Sequence, residues 1–142
     1  MVAADSGGQG KDEEGDRMIE YWDYIVREDL KNNPDKVFLF GDNLARKGYG
    51  GQAKEMRDEP NAVGIPTKKL PSNGPDAFFS DTELEINKYV IDRALGKIPR
   101  DKIIVIPSAG LGTGLAQLDV KAPQTYAYLL ECIKKLDNAD GQ

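Results

Sequence analysis

The sequence predicts an α/β fold, an α/β sandwich around a sheet that is mainly parallel or mixed. Short apolar or β-branched segments typical of strands alternate along the chain with amphipathic segments typical of helices. The length of 142 residues fits one domain with a modest core. Two strand segments run directly into glycine-rich loops, and ligands of such sheets bind at the carboxyl ends of strands.

The N-terminal segment, residues 1–16, is predicted to be a disordered acidic tail. It is rich in glycine and charge and has almost no large apolar side chain, so burial cannot offset the entropy of ordering it. Five acids and one lysine give it −4 of the total net charge of −5, which leaves the rest nearly neutral. We therefore expect one folded domain at residues 17–137 and a flexible C-terminus at residues 138–142.

The first folded segment, "YWDYIVREDL", allows two interpretations. Its aromatic and β-branched residues favour a strand through Val26, while an amphipathic helix from Ile19 to Leu30 fits the same pattern. "NNPD" predicts a turn. The continuous apolar run "KVFLFG" predicts a strand buried on both faces.

The middle of the chain alternates loops with regular elements. A glycine loop leads into a short helix at "GQAKEM", and "NAVGIPT" predicts a strand that Pro66 stops. "KKLPSNGPDAFF" predicts a loop. "SDTE" predicts a capping box, in which Ser80 caps a helix and Glu83 reaches back. The predicted apolar face of that helix contains Leu84, Ile86, Val90, Ile91, Ala94 and Leu95.

The C-terminal third predicts a strand, a loop and a helix. "DKIIVIP" is the clearest buried strand, and "SAGLGTG" is a second glycine loop. The last helix is expected from about Val120 to Leu136, with Pro123 tolerated in its first turn. Cys132 is expected to be one more small helix side chain, because no base accompanies it. The predicted inner stripe contains Tyr126, Leu129, Leu130, Ile133 and Leu136.

The composition narrows the classes of function. The absence of histidine removes the histidine-dependent catalytic triads and the commonest transition-metal ligand, so we expect no metal and no cofactor. A nearly neutral folded part disfavours sequence-independent binding to duplex nucleic acid. No apolar run approaches the roughly 20 residues of a membrane span, and no signal peptide is visible. With a single cysteine, a cytoplasmic location is the expectation.

The two glycine loops predict an anion site. Glycine after a buried strand lets the backbone turn sharply and present N–H groups to a ligand. In "SAGLGTG" these are Gly110, Gly112 and Gly114, with hydroxyls from Ser108 and Thr113. The loop is neither a Walker A motif nor the Rossmann fingerprint, and a tight turn without ligand remains an alternative. Two such loops together can close on a diphosphate.

Polar side chains near the loops suit a nucleotide. Asn43 can bond to a ribose hydroxyl. Lys68 and Lys69 follow a third strand and could equally be a solvated pair on a loop. The cations of the first loop could likewise form a solvated face, the interpretation favoured for Lys54 and Arg57.

In order along the chain, "YIVREDL", "FGDNLARKGYGGQAKEM", "GIPTKK" and "IPSAGLGTGLAQL" resemble the macro-domain family, which binds ADP-ribose. The chain looks most similar to the branch of terminal ADP-ribose protein glycohydrolases. The resemblance implies a three-layer α/β/α sandwich with a mixed, mainly parallel sheet. It implies that Asp29 contacts the adenine amino group and Asn43 faces the distal ribose. The residues implied to bind ligand are Asp29, Asn43, Gly50, Gly51, Ser108, Gly110, Leu111, Gly112, Thr113 and Gly114.

The resemblance also bears on catalysis. In that branch a lysine attacks the anomeric carbon and an aspartate assists release. The lysine position corresponds to Lys68, with Lys69 alongside as a like charge, but the aspartate position holds Ala116. Asp119 lies three residues later and is expected to cap the last helix. Asp42 and Asp81 are two other carboxylates that could reach the cleft.

The sequence is therefore consistent with three functions. The first is a domain that binds ADP-ribose or a related nucleotide and can hydrolyse an ADP-ribosyl linkage. The second is a non-catalytic reader of ADP-ribosylated macromolecules. The third is a protein-interaction domain without a nucleotide ligand.

Overall fold

The computed structural model describes residues 18–138. The predicted acidic tail lies outside the described residues, as do residues 139–142 at the C-terminus. The strands are β1 (Ile19–Trp22), β2 (Lys36–Asn43), β3 (Ala62–Lys68) and β4 (Ile103–Pro107). The helices are α1 (Arg27–Asn32), α2 (Ala53–Met56), α3 (Leu84–Leu95), α4 (Leu118–Lys121) and α5 (Pro123–Asn138).

The four strands form one sheet in the order β1-β4-β2-β3, and every pair is parallel. The register aligns Ile19 with Ile104, and Phe38 with both Val105 and Ala62. The prediction of an α/β fold is confirmed, and the sheet is parallel throughout its named strands. Because all strands run the same way, their carboxyl ends meet at one edge.

Two apolar clusters cover the two faces of the sheet. Successive residues of a strand point to opposite faces, so Val37 and Leu39 enter one cluster while Phe38 and Phe40 enter the other. The first cluster contains apolar residues of α3, α4 and α5, and the second contains those of α1 and α2. Burial on both faces explains why "KVFLFG" is continuously apolar.

The segment "YWDYIVREDL" is a strand at its start and a helix at its end, so each of the two interpretations is correct for part of it. The strand ends at Trp22 instead of Val26, and a short helix, α1, begins only at Arg27. The side-chain amide of Gln52 explains the break: its Nε2 donates to Ile25 O at 2.7 Å, and its Oε1 accepts from Ile25 N at 2.8 Å. Residues 23–26 therefore leave the sheet and approach α2.

The prediction that Pro66 stops a strand is wrong. β3 continues through Pro66 to Lys68. The reason is its position, because among the strands of residues 18–138 β3 pairs only with β2 and lies at the edge of the sheet. Proline lacks an N–H to donate, and an edge strand has one side on which no donor is needed.

Helix starts differ from the predicted caps in detail. Ser80 Oγ accepts from Thr82 N, which caps a 3-10 turn at Asp81–Glu83 ahead of α3. The carboxylate of Glu83 pairs with Lys69 Nζ at 2.6 Å instead of reaching back, so only half of the capping box forms.

The last helix is divided in two by Pro123. α4 ends at Lys121 and α5 begins at Pro123, because the residue before a proline is disfavoured in helical geometry. The expectation that Asp119 caps the last helix is wrong, because Asp119 lies inside α4. The cap of α5 is Asp81, whose carboxylate accepts from the backbone N–H groups of Gln124 and Thr125. Burial raises the pKa of Asp81, but these hydrogen bonds outweigh it and lower the pKa overall.

Most predicted inner positions are buried or partly buried, with two exceptions. Ile86 on α3 is 60% exposed and Leu130 on α5 is 48% exposed, so both lie outside the core that the helical pattern assigned to them. Within residues 18–138, no helix is long and apolar enough to cross a membrane.

The two isoleucines of α3 test this assignment. Ile91→Ala is expected to lower the free energy of unfolding by about 2–5 kcal/mol, because Ile91 is fully buried and truncation leaves a cavity. Ile86→Ala is the matched control on the same helix and should change it by less than about 0.5 kcal/mol. Urea unfolding of both variants measures the difference, and equal losses would contradict the described orientation of α3.

Candidate functional site

A cleft of about 560 Å³ lies at the carboxyl edge of the sheet. It is lined by residues that end or follow each of the four strands, from Asp23 and Tyr24 after β1 to Ser108 after β4. This is the edge at which ligands bind in parallel α/β sheets. The cleft also suits small molecules by its size.

Two loops form most of the cleft wall. The first loop is residues 44–52, between β2 and α2, and the second loop is residues 108–117, between β4 and α4. They meet at Gly50, where an added Cβ would lie 2.9 Å from Leu115 Cδ1. The side chain of Leu115 therefore reaches from the second loop onto the first.

Both loops carry runs of backbone N–H groups without a protein partner. Within the part of the chain that the structure describes, the N–H groups of residues 48–52 donate to no acceptor, and neither do those of residues 111–116. Most of these residues are exposed or half-buried, so water can reach their N–H groups. They are free to donate to water or to an anionic ligand.

The second loop is held by close contacts to β3. Gly112 has φ +80°, and a Cβ there would lie 2.9 Å from Thr67 Cβ. The position therefore requires glycine both for its backbone conformation and for space. Leu118 N donates to Gly112 O at 2.7 Å and fixes the end of the loop ahead of α4. Thr113 Oγ1 donates to Ala109 O at 2.7 Å within the loop.

Most of the residues predicted to bind ligand line this cleft. Two do not: Asp29 Oδ2 accepts from Val26 N at the start of α1, and Leu111 is buried in the first apolar cluster. The predicted residues that line the cleft are Asn43, Gly50, Gly51, Lys68, Ser108, Gly110, Gly112, Thr113 and Gly114.

Asn43 is buried at the end of β2, and its side chain holds the first loop. Its Nδ2 donates to Lys47 O at 2.7 Å, and its Oδ1 accepts from Lys47 N at 3.4 Å. The amide is therefore engaged in a turn of residues 43–47, a contact that its predicted role at a ribose did not anticipate.

Lys68 is a buried amine at the end of β3. Its Nζ lies 4.9 Å from the centre of the Phe78 ring and 3.4 Å from Asn73 Oδ1. Within the described residues, no carboxylate lies within ion-pair distance of it. Burial without a carboxylate lowers its pKa below the ordinary value of 10.5, which favours the neutral, nucleophilic form.

The groups expected to assist Lys68 are differently placed. Lys69 pairs with Glu83, so it does not act as a free like charge beside Lys68. Ala116, the residue at the position where an aspartate was expected, lines the cleft. Asp119 is exposed in the first turn of α4 and does not line the cleft.

The carboxylates that line the cleft are Asp23 and Asp42. Asp42 is buried and ion-paired with Arg57 at 2.5 Å and with Arg46 at 3.0 Å. The prediction that Arg57 belongs to a solvated face is therefore wrong, whereas Lys54 is exposed as predicted. Arg57 is buried because it forms an ion pair with Asp42. The two residues are 15 positions apart, so the local sequence pattern did not indicate the pair.

Sequence reasoning also missed Asp23, Tyr24, Thr67 and Leu115 as cleft residues. Asp23 and Tyr24 directly follow the aromatic pair Tyr21 and Trp22, so a prediction that ended the first strand at Trp22 would have placed both at the carboxyl edge of the sheet. Within the described residues, no group of three or more acidic or cysteine side chains could hold a metal ion.

The fold and the site define a class: an α/β domain with a parallel sheet and a cleft between two glycine loops. The model of a family of unknown function, DUF7831, matches residues 20–132, and the chain belongs to that family. The match extends from β1 into α5 and includes both loops. Searches of curated proteins and of solved structures each found no significant match.

The buried amine has a consequence for stability. Because the folded-state pKa of Lys68 is lowered, the unfolded chain binds more protons between that pKa and 10.5, and stability rises with pH through this interval. At a pH below the folded-state pKa, Lys68 is charged in both states, and the cost of burying the charge lowers the free energy of unfolding by its full amount. Lys68→Met should therefore raise the free energy of unfolding at pH 7 and remove part of the rise with pH toward 10.5.

The adjacent lysine is the control. Lys69→Met removes a partly exposed pair with Glu83 and should change stability by less than about 1 kcal/mol with little pH dependence. Urea unfolding from pH 7 to 10 compares the two variants. A lower stability of Lys68→Met at pH 7 would contradict the account of a penalised charge.

Proposed function

We propose that this domain binds ADP-ribose or a related nucleoside diphosphate in the cleft between its two loops. The observation that carries the proposal is the pair of unpaired N–H runs at residues 48–52 and 112–116, which belong to residues that line the cleft from two sides. Backbone N–H groups in glycine loops make concave anion sites that suit phosphate oxygens. A diphosphate between the loops would pair donors that otherwise have only water.

ADP-ribose in particular is proposed from the resemblance to macro domains. Apolar clusters on both faces of the parallel sheet agree with the three-layer α/β/α arrangement that the resemblance implies. At the β1 end of the cleft, we propose Asp23 instead of Asp29 as the acceptor for an adenine amino group, because Asp23 lines the cleft. Tyr24 beside it is 60% exposed and offers an aromatic surface for a base.

The first test adds a negative charge where the anion is proposed to bind. Apart from its chain neighbours, a Cβ added at Gly114 would have no atom of the described residues within 4 Å, so the position has space for the first carbon of the glutamate side chain in Gly114→Glu. This substitution should weaken ADP-ribose binding by about tenfold or more, since a like charge beside an anion site costs on the order of 1–3 kcal/mol. Isothermal calorimetry measures the affinity.

Gly74→Glu is the matched control. Gly74 also has no described atom within 4 Å of an added Cβ, and it does not line the cleft. It should leave affinity nearly unchanged. Gly112 is a poorer choice, because a side chain there would displace Thr67. Equal affinity of the Gly114 and Gly74 variants would argue against a phosphate at the second loop. No binding by wild type would favour a protein-interaction domain.

A second candidate function is hydrolysis of an ADP-ribosyl linkage. The observation that favours it is Lys68, a buried cleft amine with a lowered pKa and no carboxylate partner in the described residues. Such an amine attacks an electrophilic carbon in its neutral form, which a lowered pKa favours. The cleft offers Asp23 as the one lining carboxylate not engaged with arginine, whereas Ala116 supplies no acid. Without an acid in position, the domain would act as a reader.

Turnover separates the hydrolase from the reader. If Lys68 is the nucleophile, Lys68→Ala should reduce release of ADP-ribose from a modified protein by about 100-fold or more while keeping most of the binding. Release is followed by chromatography, and binding by calorimetry. Binding by wild type without any release would establish the reader. Equal release by wild type and variant would exclude Lys68 as the nucleophile.

A further inference from the structure

Arg57 connects the sheet to the first loop. The residue follows α2 directly and is buried. Toward the sheet, its Nη1 and Nη2 donate to the two carboxylate oxygens of Asp42, at 3.3 and 2.5 Å. Toward the loop, its Nε donates to Gly48 O at 2.8 Å and its Nη2 to Lys47 O at 3.2 Å. Four hydrogen bonds thus use most of the five N–H groups that an arginine offers.

These bonds orient the peptide groups of the loop. In a trans peptide the C=O and the following N–H point in opposite directions. Because the carbonyls of Lys47 and Gly48 point toward Arg57, the N–H groups of Gly48 and Tyr49 point away from it. Both N–H groups belong to the run that donates to no acceptor in the described residues.

Few other hydrogen bonds restrain the carbonyls of Lys47 and Gly48, although the Oη of the neighbouring Tyr49 donates to Asp58 Oδ2 at 3.2 Å. Within residues 18–138, Gly48 O accepts from Arg57 alone, and Lys47 O accepts from Arg57 and from Asn43 Nδ2. The guanidinium also lies near two rings, 5.5 Å from the centre of Phe40 and 5.9 Å from that of Tyr49. Both rings lie within the distance of a cation–π contact with the guanidinium.

We propose that Arg57 is a positioning residue for ligand binding. It holds Lys47 and Gly48 in the conformation that presents the N–H groups of Gly48 and Tyr49 to an anion, so the ligand meets donors already in place. The proposal deepens the proposed function and rests on it. Preorganised donors bind more tightly, because no ordering cost is incurred on binding.

Arg46 supplies the matched control. It also pairs with Asp42, at 3.0 Å, and its other hydrogen bond goes to Gly64 O at 2.8 Å. It is exposed, does not line the cleft and makes no bond to Lys47 O or Gly48 O. The two arginines thus share the carboxylate, but only Arg57 holds the loop.

The first experiment measures the loop without ligand. Arg57→Lys keeps the positive charge but removes the planar guanidinium and its several donors. The amide order parameters of residues 48–51, measured by NMR relaxation, should therefore fall from about 0.85 to below about 0.6, while those of the strands stay high. Arg46→Lys should leave them unchanged. An ordered loop in the Arg57→Lys protein would overturn the proposal.

The second experiment measures ADP-ribose affinity at a temperature where urea unfolding shows each variant to be fully folded. Arg57→Lys should weaken binding by about tenfold or more, and Arg46→Lys by less than about twofold. Wild-type affinity in the Arg57→Lys protein would overturn the positioning role. If wild type itself does not bind, the proposed function fails, and the order parameters still decide whether Arg57 positions the loop.

A second variant keeps the test decisive if Arg57→Lys does not fold. Asp42→Asn keeps the shape of the acceptor but weakens the charge-assisted bonds that orient the guanidinium. It should lower the order parameters of residues 48–51 and the ADP-ribose affinity in the same direction. Unchanged values for both would overturn the proposal.

Discussion

The site depends on one buried ion pair, between Asp42 at the end of β2 and Arg57 after α2. Burying two charges is costly unless hydrogen bonds satisfy the remaining polar atoms. Here they do: Asp42 Oδ1 accepts from Asn43 N and Arg57, and Oδ2 accepts from Arg46 and Arg57. Arg57 then uses its other donors on the first loop. The pair closes the loop onto the sheet and sets the mouth of the cleft.

The same carboxylate constrains the neighbouring strand. A Cβ at Gly64 of β3 would lie 2.5 Å from Asp42 Oδ2, so that strand must present a glycine to the buried pair. A few residues later, Thr67 approaches Gly112 of the second loop in a similar way. Small residues thus let β2, β3 and the second loop come close together. This close approach brings the two runs of N–H groups onto one cleft.

Lys68 follows Thr67 and shares this crowded edge. Its amine is buried beside Phe78, and within the described residues no carboxylate forms an ion pair with it. Asp42 is paired with two arginines, and Asp81 caps α5. The cleft therefore combines backbone donors for an anion with an amine whose pKa is lowered. In a proposed nucleotide site, the first would bind phosphate oxygens and the second would lie near the sugar.

The local sequence pattern determined most of the strands and helices and the edge of the sheet at which the cleft lies. Continuous apolar runs identified β2 and β4, and the glycines that follow them identified both loops, since these signals depend only on neighbours in the chain. Pairings between distant residues were not visible. Arg57 lies 15 residues from Asp42, and Gln52 lies 27 from Ile25, so nothing local distinguishes these side chains from solvated ones. Pro66 is tolerated only because β3 became the edge strand, which strand order decides. Whether a charge is buried and where a strand ends depend on the residues that pack against them. Those residues are distant in the sequence, so only the tertiary structure decides both.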